Sequence, residues 1–148
     1  MVPEALQISS IVFDLDGTLY VSPSVAREIE EAADALVAAT RGLSLESGRT
    51  LIKRARHRLA EEGDEEPTLT RTCMELGIDI FELHRAFQEH VKPERHLLPD
   101  PVLGALLHSL QDQCSLYIYT NNNLPLASRI LSLLSVEGLF ERLYTIEF

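Results

Sequence analysis

The sequence has 148 residues, of which 45% are hydrophobic and 24% are charged, and its formal net charge is −10. These values are typical of a globular protein with one domain, or with a small core and an inserted subdomain. The negative charge argues against broad binding to nucleic acid or to anionic lipid. No apolar run approaches the ~18 residues of a membrane span, and the N-terminus lacks the pattern of a secretory signal. We therefore expect a cytoplasmic protein without membrane attachment.

The predicted elements begin with a fully buried strand over residues 9–14, a short apolar run bounded by turn residues. Residues 22–95 then show helical spacing without a further strand. Four helix starts are predicted in this segment, at Pro23, Ser44, Pro67 and Asp79. A helical insertion after the first strand would lie above the carboxyl ends of the strands, where ligands of open α/β sheets bind, and could form a lid.

Helices and strands alternate after this insertion. The predicted elements are a helix over 99–110 with one apolar face, a strand over 115–120, a helix that starts near Pro125 and a strand over 142–148. This alternation is typical of a parallel sheet with right-handed crossovers. The sequence thus predicts an α/β protein with an incomplete Rossmann-like parallel-sheet core from residues 1–21 and 96–148. Residues 22–95 are predicted to form an inserted all-helical cap.

Two acidic residues, Asp14 and Asp16, follow the first predicted strand and precede Gly17 and Thr18. Two carboxylates this close repel each other unless a cation or a shared proton compensates their charge. One carboxylate can attack an electrophile covalently, and a neighbouring acid can protonate the leaving oxygen. Mg²⁺ prefers carboxylate oxygens and phosphate, and the Thr18 hydroxyl could lie near a bound anion. The pair therefore favours phosphoryl transfer.

Other interpretations of the acid pair remain open. The two carboxylates could cap a helix or belong to a solvated turn. A calcium-binding loop is a third interpretation, but there the glycine follows three alternating ligands, whereas Gly17 directly follows the second acid.

Thr120 ends the second long strand at the same sheet edge as Asp14 and leads into Asn121, near a predicted helix start. A hydroxyl beside unpaired N–H groups at a helix N-terminus can bind phosphate. The alternative is that Thr120 and Asn121 only cap the helix. Because this site would adjoin the acid pair, we favour phosphate binding.

The segments FDLDGTLY (13–20) and YIYTN (117–121) resemble motifs one and two of the haloacid dehalogenase superfamily. The helical insertion between them resembles the first-position cap of that superfamily. Over almost the whole chain, the sequence is similar to the pyrimidine 5′-nucleotidase branch. The resemblance implies a phosphatase that hydrolyses a small phosphorylated substrate, in this branch a nucleoside monophosphate.

The resemblance also implies the roles of individual residues. Asp14 would be the nucleophile and an Mg²⁺ ligand. Asp16 would be the general acid and base, and would bind the metal through its backbone carbonyl. Thr120 would donate a hydrogen bond to the transferring phosphoryl group, assisted by the Asn121 backbone.

Two further elements that the resemblance implies do not occur after Thr120 in this sequence. One is a lysine that neutralises the phosphate, but both lysines, Lys53 and Lys92, precede Thr120. The other is a set of acids that completes the metal site. We therefore expect a chain that is truncated after motif two and has little activity alone. The alternatives are a phosphomutase of the same superfamily and a degenerate, non-catalytic interaction module, and the open sheet edge could pair with a second copy.

Two further features are expected to be structural. Cys73 and Cys114 are predicted to be small buried side chains rather than nucleophiles or metal ligands. A basic cluster between residues 49 and 58 is expected to be solvated and paired with nearby acids. The competing hypothesis is that Arg49, Lys53 or Arg56 faces the active-site cleft and attracts an anionic substrate.

Overall fold

A computed structural model describes residues 7–147 of the chain. Within them, the three strands are β1 (Ser10–Phe13), β2 (Ser115–Tyr119) and β3 (Arg142–Tyr144). The six α-helices are α1 (Pro23–Arg41), α2 (Leu45–Glu62), α3 (Leu69–Glu75), α4 (Ile80–His90), α5 (Pro101–Gln111) and α6 (Leu124–Leu133). None of these helices is long and apolar enough to cross a lipid bilayer.

The chain folds into two compact units. One unit contains the three strands with α5 and α6, and joins the residues up to Ser22 to those from Pro93 onward. The other unit, Pro23–Lys92, contains α1 to α4 and is entirely helical between its turns. The predicted α/β fold, with an incomplete parallel-sheet core and a helical cap, is confirmed.

The sheet is parallel throughout, with the strand order β1-β2-β3. Ile11 lies opposite Leu116, and Phe13 lies opposite Ile118. Leu116 and Ile118 are fully buried, and α5 packs against β2. Because the crossovers from β1 to β2 and from β2 to β3 run in the same direction across the sheet, right-handed connections place α5 and α6 on one face.

The opposite sheet face is largely uncovered in the described residues. Val12 is 61% exposed and Tyr119 is 59% exposed, and half-buried Tyr117 and Tyr144 lie on the same face, with ring centroids 6.4 Å apart. The prediction that the first strand is fully buried was therefore wrong. β1 lies at the edge of the described sheet, and its residues alternate between exposed and half-buried.

The apolar face predicted for α5 is only partly buried. Leu107 is fully buried, but Val102 is 80% exposed and Leu106 is 57% exposed. The helix predicted from this apolar face is present as α5, which begins with Pro101 at its first position. Their burial was overestimated because spacing alone does not show how many neighbouring elements pack against a helix.

Side-chain caps set the helix starts in the helical unit. Ser44 accepts a hydrogen bond from the Ser47 N–H at 3.1 Å at the start of α2, as predicted. Asp79 caps α4 in the predicted way. The predicted start of α3 at Pro67 was wrong. The Thr68 hydroxyl accepts a hydrogen bond from the Arg71 N–H at 3.1 Å and caps the helix, which begins at Leu69, two residues later.

Members of the basic cluster pair with acids of the same unit. Arg49 Nε lies 3.0 Å from Asp34, whose side chain is almost fully buried, and Arg58 lies 3.2 Å from Glu75. These contacts support the expectation of local pairing. The Arg58–Glu75 pair is exposed and contributes little to stability. The Arg49–Asp34 pair instead compensates the charge of a carboxylate that is almost fully buried.

Candidate active site

Asp14 follows the last residue of β1, and the chain then forms a tight turn. One carboxylate oxygen of Asp14 accepts a hydrogen bond from the Leu15 N–H at 2.8 Å. Gly17 has a φ of 77°, in the left-handed region that glycine adopts without strain, and its N–H donates to the Tyr20 carbonyl at 2.9 Å. Leu15 is fully buried and anchors the turn. Local backbone bonds therefore fix the positions of Asp14 and Asp16.

The Asp16 side chain is the centre of a hydrogen-bond network. The Tyr20 hydroxyl donates to Asp16 Oδ1. The Asn122 amide donates to Asp16 Oδ2 at 2.7 Å, and the Thr120 hydroxyl lies 3.5 Å from the same oxygen. The network connects the turn after β1 with the loop after β2, so the structure brings Asp16 and Thr120 together as the sequence predicted.

Tyr20 is a neutral donor in this network. Burial raises the pKa of the Tyr20 hydroxyl far above its ordinary value, and the nearby Asp16 and Asp14 carboxylates raise it further. An ionised phenolate would be both desolvated and repelled by these carboxylates. The hydroxyl therefore stays protonated at neutral pH and can donate to Asp16.

Thr120 and Asn121 do not cap α6. The N-cap is Asn123, whose side-chain oxygen accepts from the Leu126 N–H at 2.9 Å. The buried Thr120 hydroxyl instead accepts from the Asn122 N–H at 3.1 Å, two residues along the chain. The alternative interpretation of Thr120 and Asn121 as helix caps is thus wrong, and capping of α6 does not explain the presence of these two residues in the loop between β2 and α6.

The start of α6 is already bonded to a carboxylate from another part of the chain. Both oxygens of Glu147 accept from the Leu124 N–H, at 3.0 and 3.2 Å. The Thr145 hydroxyl also donates to Glu147. The Glu147 contacts do not involve the other parts of the predicted phosphate site, which are the Thr120 hydroxyl and the backbone of the exposed residue Asn121.

Sequence reasoning missed two members of the Asp16 network, Tyr20 and Asn122. Tyr20 could have been suspected because Gly17 turns the chain back on itself, which brings a residue four positions after Asp16 close to it. For Asn122, the run of three asparagines gives no indication of which amide points to the acid. Thr18, also predicted for the site, is exposed in the turn.

The oxygen donors of Asp14 and Asp16 are compatible with a magnesium site that has few protein ligands. Within residues 7–147, no three acidic, histidine or cysteine side chains are grouped so that they could hold a metal ion. Mg²⁺ commonly keeps several waters and is held by one or two carboxylates together with substrate phosphate. The Asp14 carboxylate and the Asp16 backbone carbonyl are oxygen donors that suit such a site.

The family model of the haloacid dehalogenase-like hydrolases matches residues 8–148. The chain belongs to this family. The superfamily resemblance seen in the sequence is therefore confirmed, and it extends over the Asp14 turn, the helical unit and the Thr120 loop. No curated protein gives a significant match to the chain.

Solved structures with similar folds include other members of the haloacid dehalogenase-like hydrolases. A family member from Streptococcus pneumoniae is 19% identical with a TM-score of 0.50, and the match covers 94% of this chain and 61% of that one. Magnesium-bound YfnB from Bacillus subtilis is 22% identical with a TM-score of 0.47, covering 94% and 65%. A predicted phosphoglycolate phosphatase from Haemophilus somnus is 17% identical with a TM-score of 0.45, covering 97% and 64%.

These similarities describe the fold of the haloacid dehalogenase-like chain rather than its reaction. This chain spans between 61% and 65% of the lengths of the three solved chains.

Proposed function

We propose that this protein is an Mg²⁺-dependent phosphomonoester hydrolase that acts through an aspartyl-phosphate on Asp14. The observation that carries the proposal is the difference between the surroundings of the two acids. Asp14 accepts a backbone hydrogen bond on one oxygen, whereas Asp16 accepts side-chain donors on both. A nucleophile requires an accessible oxygen, and a proton-transfer group requires a fixed orientation. Family membership supports the same assignment.

The reaction has two steps in this proposal. An oxygen of Asp14 attacks phosphorus, the bond from phosphorus to the leaving oxygen breaks, and protonated Asp16 gives its proton to that oxygen. In the second step, Asp16 takes a proton from water while the water oxygen attacks phosphorus. The bond from phosphorus to Asp14 then breaks, which releases phosphate and restores the protonated Asp16.

Binding of the phosphoryl group is assigned to the loop after β2. The Thr120 hydroxyl and the Asn121 backbone would hold phosphoryl oxygens, with the Thr18 hydroxyl on the other side. Asp14, through its side chain, and Asp16, through its backbone carbonyl, would hold Mg²⁺. The metal would neutralise the charge shared by carboxylates and phosphate.

The proposed substrate is a nucleoside monophosphate, because the sequence resembles the pyrimidine 5′-nucleotidase branch. Residues 1–148 alone are expected to turn over slowly, since neither lysine follows Thr120. A phosphomutase would use the same acids. The two activities differ in whether the phosphoryl group passes to water or returns to the sugar.

Phosphate release from nucleoside monophosphates and from p-nitrophenyl phosphate tests the proposal. We expect slow turnover that requires Mg²⁺ and disappears in Asp14→Asn. Turnover that is unchanged in Asp14→Asn would contradict the aspartyl-phosphate mechanism. Return of the phosphoryl group to another position of the sugar would identify a phosphomutase instead.

A second candidate function is an interaction module, which the uncovered sheet face favours. Parallel sheets are almost always covered on both faces, yet Val12 and Tyr119 remain exposed here. Among residues 7–147, β1 also lies at the edge of the sheet, and an edge strand can pair with a strand of another chain. We propose that a second copy of the chain covers this region, so that association and catalysis are separate properties of the same unit.

A further inference from the structure

We infer that Tyr20 and Asn122 are positioning residues that orient the Asp16 carboxylate for proton transfer. The inference rests on the proposed function and assigns roles to two side chains outside the predicted site. Neither residue is expected to contact the reacting phosphorus. Both would act through Asp16.

The two donors reach different oxygens of the same carboxylate. Tyr20 donates to Oδ1, and Asn122 donates to Oδ2 at 2.7 Å. A single donor restricts the position of a carboxylate but still allows it to rotate about the Cβ–Cγ bond, which is a broad torsion. Donors on both oxygens restrict this rotation as well. The Thr120 hydroxyl also lies 3.5 Å from Oδ2, so the second lone-pair direction of Oδ1 is the one that remains for water or the leaving group.

Each donor is itself held by the backbone. The Tyr20 carbonyl accepts a hydrogen bond from the Gly17 N–H at 2.9 Å. The backbones of Tyr20 and Asp16 also pair in a single β-bridge outside the sheet. The Asn122 N–H donates to Thr120, and the Asn122 carbonyl accepts from the Ile146 N–H at 3.1 Å. The positions of the donors are therefore set by two segments, the turn after β1 and the loop after β2.

The chemistry of the donors suits this role. A phenol and a carboxamide are both neutral donors, so neither brings a charge that would compete with substrate or metal for Asp16. Proton exchange at Asp16 can then take place with the leaving group and with water. An arginine or lysine in either position would instead form an ion pair with the carboxylate.

The test compares Tyr20→Phe, Asn122→Ser and the double variant with the wild-type chain. Steady-state phosphate release from p-nitrophenyl phosphate is measured with Mg²⁺. We expect each single variant to lower kcat about 10- to 100-fold with KM changed less than about twofold, because proton transfer is lost but substrate binding is kept. The double variant should lie within about threefold of the slower single variant, since either loss frees the carboxylate.

Tyr119→Phe is the matched control, because it also removes one tyrosine hydroxyl but from the exposed sheet face. Its kcat should equal that of the wild type. Binding of beryllofluoride with Mg²⁺, followed by ¹⁹F NMR, reports on Asp14 independently of turnover and should be retained in Tyr20→Phe and Asn122→Ser.

The outcomes separate this inference from the proposed function. Wild-type kcat in both single variants, or an effect confined to KM, would overturn the inference and leave the proposed function standing. Loss of beryllofluoride binding in both variants would also overturn it, because the residues would then maintain the whole site rather than orient Asp16. A wild-type chain without Asp14-dependent phosphate release would overturn the proposed function and the inference together.

Discussion

The Glu147 carboxylate accepts two hydrogen bonds from the Leu124 N–H, at 3.0 and 3.2 Å, so an acid after β3 holds the first residue of α6. The N–H groups at a helix start have no partner within the helix and carry partial positive charge. A carboxylate at this position accepts a hydrogen bond from such an N–H group, and its negative charge is attracted to the partial positive charge. The contact connects the end of the sheet to the loop that carries Thr120.

Replacing Glu147 with alanine should lower the free energy of unfolding by about 1 kcal/mol, the typical contribution of a side chain that caps a helix start. Urea denaturation followed by circular dichroism measures this change. Glu141→Ala is the control, because Glu141 is an exposed acid in the same region, and its replacement should change stability by less than about 0.5 kcal/mol. Equal denaturation midpoints for the two variants would show that the Glu147 contact contributes nothing specific.

Replacing Asp16 with asparagine should lower kcat by about 10²- to 10⁴-fold, the usual contribution of a general acid and base. The variant keeps the size of the side chain and one oxygen acceptor, so it should fold normally. Phosphate release and thermal unfolding are measured together. Turnover within about threefold of the wild type, in a folded variant, would exclude Asp16 as the proton-transfer group.

Cys73 should make stability depend on pH in the alkaline range. Burial is the main cause that raises the pKa of the Cys73 thiol to about 11 from an ordinary value of 9.0. Because the pKa of the thiol is higher in the native state than in the unfolded state, the stabilisation of the native state by protonated Cys73 is fully present below about pH 9, where the unfolded thiol is also protonated. The contribution is lost as the pH rises from about 9 to about 11, because the unfolded state releases a proton that the native state retains.

Thermal unfolding of the wild type and of Cys73→Ala, measured between neutral pH and about pH 11, tests this sign. The wild type should be more stable at neutral pH, and the difference should shrink above about pH 9. Cys114 is present in both proteins and is half-buried, so it does not affect the comparison. A constant difference at every pH would contradict the predicted titration of Cys73.

Replacing Val12 with lysine should reduce self-association of the chain. Val12 is 61% exposed on the uncovered face of an edge strand, and lysine at such positions opposes pairing with another copy. Size-exclusion chromatography with light scattering should show a dimer or larger species for the wild type and a shift towards monomer for Val12→Lys. Phe81→Lys is the control, since Phe81 is 72% exposed in the helical unit. A monomeric wild type would contradict association through β1.

The fold was largely predictable because its local signals agree with one another. Ser44 and Asp79 begin helices where their side chains cap the first turn, and Pro101 occupies the first position of α5. Asp16 and Thr120 could be placed together because parallel strands end at the same sheet edge. These predictions depend on residues close in sequence or on a general property of parallel sheets.

Burial and side-chain pairing were less predictable. Val12 and Val102 are apolar and have the spacing of core residues, but they are exposed because no described element covers them. The contacts of Asn122 with Asp16 and of Glu147 with Leu124 join segments distant in sequence. Which amide or carboxylate makes such a contact depends on loop conformation, and hydrophobic periodicity contains no information about that.

The central claim is that Asp14 bonds covalently to phosphorus, and beryllofluoride tests it most directly because it mimics a phosphoryl group on a carboxylate. A crystal structure of the protein soaked with Mg²⁺ and beryllofluoride should show beryllium attached to an Asp14 oxygen, with fluorines facing Thr120 and Asn121. The Asp14→Asn variant should show no such density. Beryllofluoride absent from Asp14, or bound to Asp16 instead, would contradict the mechanism.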